Sequence, residues 1–412
     1  MQLQRLHLEE FRVYRELDID LPAPGLRIVG PNGSGKSSIV EAIALLSTAR
    51  SLRAGSDREL IRWGSGIDYG VPPYARCSGR VASGEWSTEV AIELEADPPD
   101  PMDQPTDGGP LLAQGLVRKR CLVDGRPVRV LDIVGRLRTV SFSPEDVAIV
   151  SGPPSGRRRL IDVAISQLDR RYLQALARYA RVMSQRNGLL KGFARDGVVP
   201  ASAGARSQLL FWDDELIEAG CTIVSRRREL IARLSTLASG RYAQLAGGAR
   251  FTARYETNVA RDPKRLVDGP GRQAAETGED VSGEVFREAL ARRQAEEFRR
   301  GVTLVGPHRD DIHLSLDDVD LATFGSRGQQ RLGILALKLA EADLMVDVGG
   351  DAPVLLLDDV LSELDPERGR LLIETVAQFG SQAVITATDR TWLDVASLGE
   401  LPLLQTGTGT VR

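Results

Sequence analysis

The stretch "GPNGSGKSS", Gly30 to Ser38, separates a short apolar run, "GLRIV", from the helix-like "IVEAIALLSTA". Gly30 to Ser37 fit the spacing G-x-x-x-x-G-K-[ST]. Gly30, Gly33 and Gly35 let the backbone fold so that its N–H groups converge, while Pro31, Asn32 and Ser34 complete the loop. The helix start beyond it carries partial positive charge, and such a corner holds phosphate. Lys36 is placed to reach terminal phosphates of ATP, Ser37 to offer a hydroxyl to Mg²⁺, and Ser38 to close the helix start. A chance glycine turn is the plain alternative. The strand before, the helix after and the lysine argue against it: of 53 basic residues only five are lysine, and Lys36 is the first of them. A chain that otherwise chooses arginine has kept a compact ammonium here.

Outward from this loop, "LQRLHLEEFRVYRELDIDL" alternates like two paired strands, and Tyr69 to Val123 reads as a β meander. The Pro/Asp/Gly stretch "DPPDPMDQPTDGGP" interrupts that meander as a mobile loop. From Arg157 to about Phe298 the texture turns helical and arginine-rich, broken by a second polar loop, "RDPKRLVDGPGRQAAETGEDVSGE". Strand texture returns at "VTLVGPHRDDIHLSL". The expected class is therefore α/β: a head split in sequence over residues 1–155 and 301–412, with a helical arm, residues 156–300, inserted into it. The 412 residues, 42% apolar with a net charge of −4, suit two or three domains and lack a global basic field. Cys77, Cys121 and Cys221 are too scattered for a disulfide framework or zinc site. No window approaches a membrane span, so the expected setting is the cytoplasm, with no membrane partner.

Two further pieces speak to the same chemistry. "APVLLLDDV" is a continuous apolar run ending in acids, the pattern of a central parallel strand whose C-terminal end faces ligand. Asp358 is placed to hold the Mg²⁺ shell and Asp359 to orient or deprotonate an attacking water. "FGSRGQQR", Phe324 to Arg331, opens a long helix; Ser326, Gly328 and Gln329 form a second anion-binding corner, or simply a helix cap. Two helix starts of one head do not readily face one γ-phosphate. A homodimer formed on ATP binding, each second corner closing on the partner's nucleotide, solves this.

These blocks together resemble the ABC-type ATPases. "FRVYRELDIDL", "GPNGSGKSSIVEAI", "FSPEDVAIVSGPPSGRRRLID", "VGPHRDD", "SRGQQRL" and "LLLDDVLSELD", in that order, are similar to the bacterial RecF family of recombinational repair proteins. The resemblance implies an ABC-type head and an ATP-dependent DNA-binding dimer with a weak, DNA-stimulated ATPase. It also implies action at single-stranded/double-stranded junctions or gaps, with mediators of the RecO/RecR type, to load a recombinase. In that reading "SRGQQ" is the signature motif and Ser362 to Asp365 meets the partner head. Two features depart from the usual pattern: Thr388 and Asp389, with no histidine, follow the strand after which a transporter-type head carries a switch histidine, and Asp359 stands where a catalytic glutamate is usual. Both point to slow hydrolysis.

Arg157, Arg158 and Arg159, opening a helix after "GPPSG", are the arginines with the best case for DNA phosphates, since positive charge there opposes the helix dipole. His308 and Arg309 of "VGPHRDD" receive no role. A transporter's nucleotide-binding subunit predicts the missing histidine. A structural DNA-binding adaptor with a vestigial nucleotide site does not require intact Lys36, Ser37 and Asp358.

Overall fold

The phosphate-loop strand lies inside a parallel sheet, as a strand buried on both faces must. The computed structural model describes residues 1–97, 116–200, 202–259, 281–389, 401–407 and 409–411. The first polar loop, residues 97–110, falls almost wholly outside them, as does most of the second.

The described chain divides into two compact units, Met1–Asp146 with Glu341–Arg412, and Val147–Ala340. The first begins with β1 (Gln2–Phe11), β2 (Tyr14–Asp20), β3 (Gly25–Val29), α1 (Lys36–Thr48), β4 (Tyr74–Ser83) and β5 (Trp86–Ala96). Then come β6 (Val117–Val123), β7 (Arg126–Val128), α2 (Val130–Ile133) and β8 (Thr139–Phe142). The second unit contains α3 (Val147–Ser151), α4 (Pro154–Leu168), α5 (Arg170–Arg195), α6 (Ala203–Ala246), β9 (Phe251–Glu256) and α7 (Gly283–Arg300). It continues with β10 (Asp311–Leu316), β11 (Val319–Asp320), α8 (Leu321–Phe324) and most of α9 (Arg327–Gly349). The first unit resumes with β12 (Val354–Asp358), α10 (Pro366–Gln378), β13 (Ala383–Ala387), β14 (Leu403–Gly407) and β15 (Thr410–Val411).

In the first unit one sheet runs β15-β14-β3-β13-β12-β8, parallel from β14 to β8. All five residues of β12 and of β13 are buried. The other sheet, β2-β1-β4-β5-β6-β7, is antiparallel. Helix α1 lies between them, touching β8, β12 and β13 on one side and β1, β4 and β5 on the other. This explains why "IVEAIALLS" is apolar almost all round: a helix enclosed by two sheets has no wet face. Ile39, Ile43 and Leu46 are fully buried there beside Leu6, Val90, Ile92 and Leu356. Each contributes roughly 1.5–3 kcal/mol of burial, so the loop preceding α1 is anchored by the best-packed helix of the unit.

The second unit packs α5, α6 and α7 together and adds a small sheet, β11-β10-β9. Strand β9 lies inside the span that reads as helical, and β10 pairs with it antiparallel from Asp311↔Glu256 to Leu316↔Phe251. Because of that pairing, "DIHLSL" belongs with the helices. The inserted unit accordingly runs 147–340, against the 156–300 that texture suggests. Many of its arginines are structural. Arg186, 1% exposed, reaches Asp213 at 2.7 Å, Glu297 at 2.6 Å and Thr303 at 2.9 Å. Arg227, 3% exposed, binds Asp162 through two nitrogens and the Pro307 carbonyl. A buried charge is tolerated only with such complete pairing.

Candidate functional site

The loop between β3 and α1 depends on glycine at two points. Gly33 and Gly35 have φ of +79° and +107°, in the left-handed region that side chains avoid. A Cβ on Gly35 would lie 2.4 Å from the Tyr14 hydroxyl, and one on Gly30 would lie 2.3 Å from Thr406 Oγ1. Ser34 Oγ pairs with that same Thr406 hydroxyl at 2.7 Å, tying the loop to β14. The Tyr14 hydroxyl is buried without a hydrogen-bond partner beside the loop. The Ser38 N–H reaches back to the Gly35 carbonyl at 2.9 Å.

Lys36 folds over this cradle, donating to the carbonyls of Gly30 at 2.7 Å and Pro31 at 3.0 Å. Burial holds its pKa below the usual lysine range, opposed by the charges of Asp359 and Asp358. Ser37 donates to Asp358 Oδ1 at 3.0 Å, so residues 321 positions apart are brought into one site. Thr386, fully buried in β13, donates to the same oxygen at 2.7 Å. Arg53 meets the other oxygen, Oδ2, at 2.8 Å. Asp359 follows with φ +54°, and one of its carboxylate oxygens is buried without a partner. Burial raises its pKa most; Asp358 adds to that and Lys36 opposes it. A hydroxyl, a buried carboxylate and an orphaned carboxylate oxygen at the lip of a glycine cradle form a hard-oxygen donor set that fits Mg²⁺. The glycine-shaped loop fits a polyphosphate.

In the second unit Ser326 and Gln329 cap one another. The Gln329 N–H donates to Ser326 Oγ at 3.2 Å, and the Ser326 N–H donates to Gln329 Oε1 at 2.9 Å. This is a reciprocal capping box. Gln330, 7% exposed, donates to the carbonyls of Leu321 and Ala322, fixing α8 against the helix start. Ser326, Arg327, Gly328 and Gln329 are exposed, as is Phe324 beside them. The cap and an exposed polar corner thus coexist.

The arginine trio divides. Arg157 forks onto Asp311 at 2.8 and 2.9 Å and caps the carbonyls of Ile149, Val150 and Gly152. Arg158 donates to the Asp310 carbonyl. Only Arg159 is exposed. The "VGPHRDD" turn is a knot. His308 Nε2–H donates to the Thr303 carbonyl at 3.1 Å, which leaves Nδ1 to accept from the Tyr179 hydroxyl at 2.7 Å. Asp310 takes hydrogen bonds from Tyr255, Thr257 and the Asn258 N–H. Sequence reading missed Arg53, Thr386 and Thr406; each stands in a different element from its partner, and no local spacing marks it.

The strand-loop-helix cradle on a buried parallel sheet, the acid at the end of β12 and the capped "SRGQQ" helix define an ABC-type ATPase head. An AAA domain family matches residues 5–92. The DNA replication and repair protein RecF of Thermomicrobium roseum is 40% identical over 414 residues, covering all of both chains. A solved RecF–ATP structure, described as the recombination mediator of the RecFOR pathway, superposes with a TM-score of 0.78. It is 26% identical and covers 100% of this chain and 98% of that one. The Smc head domain from Pyrococcus furiosus, at a TM-score of 0.52 and 17% identity over 100% of this chain and 95% of that one, shares the fold. The chain belongs to the RecF family of DNA replication and repair proteins. Among the described residues no helix is long and apolar enough to cross a membrane.

Proposed function

We propose that this chain is an ATP-dependent DNA-binding protein of recombinational repair, whose heads dimerise around two nucleotides and clamp DNA in that state. The observation that carries this is the meeting of Ser37 and Asp358 at the mouth of the glycine cradle. The RecF relatives, named for replication and repair and solved with ATP, support the same reading. Nothing in it calls for a transporter's membrane partner.

The loop N–H groups and the α1 start hold the β- and γ-phosphates, with Lys36 turned from the loop carbonyls onto the terminal phosphate. Bound Mg²⁺, held by Ser37 and Asp358, would neutralise charge on those oxygens. Asp359, its pKa raised and one oxygen unengaged, accepts a proton from the attacking water. Its carboxylate is one methylene short of a glutamate, and hydrolysis is slow: a timer that releases the clamp. The exposed corner at Ser326, Gly328 and Gln329 closes on the partner's nucleotide. DNA is held by its backbone, Arg159 among the contacts, at junctions or gaps where mediators of the RecO/RecR type assist recombinase loading in the cytoplasm.

Mixing variants tests the arrangement. Ser326→Arg leaves ATP binding by the monomer intact but blocks ATP-dependent dimerisation by bulk and charge. Lys36→Ala loses ATP binding. Neither hydrolyses ATP alone, and their mixture regains activity through one composite site with a good phosphate loop and a good signature. Heterodimers that form without regaining activity, or loss of monomeric ATP binding in Ser326→Arg, overturn it.

A further inference from the structure

Asp358 is 2% exposed, and both its oxygens are engaged by this chain. Oδ1 accepts from the hydroxyls of Ser37 and Thr386, neutral groups compatible with a nearby cation. Oδ2 carries the Arg53 guanidinium. That guanidinium is no loose surface arm. The Ser51 hydroxyl accepts the N–H groups of Arg53 at 3.0 Å and Ala54 at 2.8 Å, and itself donates to Glu41 on α1. Glu41 is in turn clamped by Arg12 through two hydrogen bonds, at 2.7 and 2.8 Å. The helix that follows the phosphate loop therefore sets where Arg53 stands.

The other edge of the Arg53 guanidinium meets Glu145 at 3.1 and 3.2 Å. The two carboxylates differ in setting: the Asp358 side chain is 3% exposed and the Glu145 side chain 67%. One cation thus bridges a buried acid and a wet one. A divalent ion on Asp358 needs an oxygen at about 2.1 Å, and a guanidinium within hydrogen-bond reach of the same buried carboxylate repels it strongly.

We propose that Arg53 is the resident counter-ion of Asp358, and that it exchanges with the divalent metal and is retained by Glu145 when it leaves. This rests on the nucleotide-site reading above. Its consequence is a selective site. A free divalent ion must displace Arg53 with only the oxygens of Ser37, Asp358 and Asp359 to hold it, whereas a metal already bound to ATP brings phosphate contacts that offset the exchange. The head takes up metal with nucleotide and not before it.

Mn²⁺ is the probe, its free fraction read by electron paramagnetic resonance on the full chain. Without nucleotide, Arg53→Gln is expected to bind Mn²⁺ roughly tenfold or more tighter than the wild type. Adding Asp358→Asn to that variant removes the gain. Arg53→Lys, whose ammonium cannot span both acids, falls between. It decides the matter if Arg53→Gln fails to fold by circular dichroism. Variants that bind Mn²⁺ no tighter than the wild type, while the wild type still binds Mn²⁺ with ATP, overturn the exchange alone. A wild type that does not bind Mn²⁺ with ATP overturns the nucleotide-site reading itself.

Discussion

Arg157 offers the sharpest separation between a DNA contact and a structural brace. The structure gives it two bonds to Asp311 and three to the carbonyls of Ile149, Val150 and Gly152, with its side chain 11% exposed. Removing one partner of a fully buried ion pair costs about 3–5 kcal/mol. Asp311 is 36% exposed and rehydrates once freed, which lowers the Coulomb part. The three carbonyls at the end of α3 then need water, at about 1 kcal/mol each at most. Arg157→Ala should therefore cost about 3 kcal/mol, or roughly 6–12 °C in melting temperature for a unit of this size. Calorimetry checks this, alongside DNA affinity across a salt series below the melt. Arg157→Ala should show a depressed melt and an unchanged log–log salt slope for its folded fraction. Arg159→Ala, an exposed position, should lower the slope by about one unit and depress the melt less than Arg157→Ala does. An Arg157→Ala protein that melts like the wild type and binds DNA with a flattened slope refutes the structural account.

Lys36→Ala should abolish tight ATP binding in equilibrium titration, and normal affinity would remove Lys36 from the site. Lys36→Arg should keep more binding but hydrolyse poorly, because a planar fork cannot sit where the ammonium bonds the Gly30 and Pro31 carbonyls. Burial pushes His308 down from 6.5 to about 4, with Arg309, Arg158 and Arg186 also disfavouring its charge. Its folded pKa is below its unfolded one, so it stabilises above pH 6.5, and that stability, up to about 3 kcal/mol, fades as pH falls toward 4. Denaturant unfolding of His308→Gln between those limits should show a shallower loss than the wild type.

What was legible in the sequence was whatever is local or periodic. The phosphate loop announces itself because glycine, lysine and serine stand at fixed offsets between a strand and a helix. β12 does so because a strand buried on both faces is an unbroken apolar run. What stayed hidden was pairing at a distance. The trio Arg157 to Arg159 reads as one basic patch until Asp311, 154 positions on, takes the first member inside. Arg53 sits in an irregular stretch between α1 and β4, and its partners Glu145 and Asp358 come from two other elements. β9 is six residues long in an arginine-rich stretch, and only its partner β10 completes it as a strand. The compact unit Val147–Ala340 follows that partnership, which texture does not carry.

The backbone at Asp359 carries a consequence for how this head could evolve. At φ +54° the residue after β12 occupies a conformation that aspartate and asparagine tolerate better than longer or branched side chains do. The short acid is therefore written into the turn itself. Lengthening it to glutamate exchanges a residue suited to that twist for one that strains it, by on the order of 1 kcal/mol. It also moves the carboxylate away from Lys36 and the N–H of Thr388, which now favour its charge. A longer acid at this position is thus not a neutral exchange. The turn and the short side chain are fitted to one another, so a longer acid here calls for a remade corner.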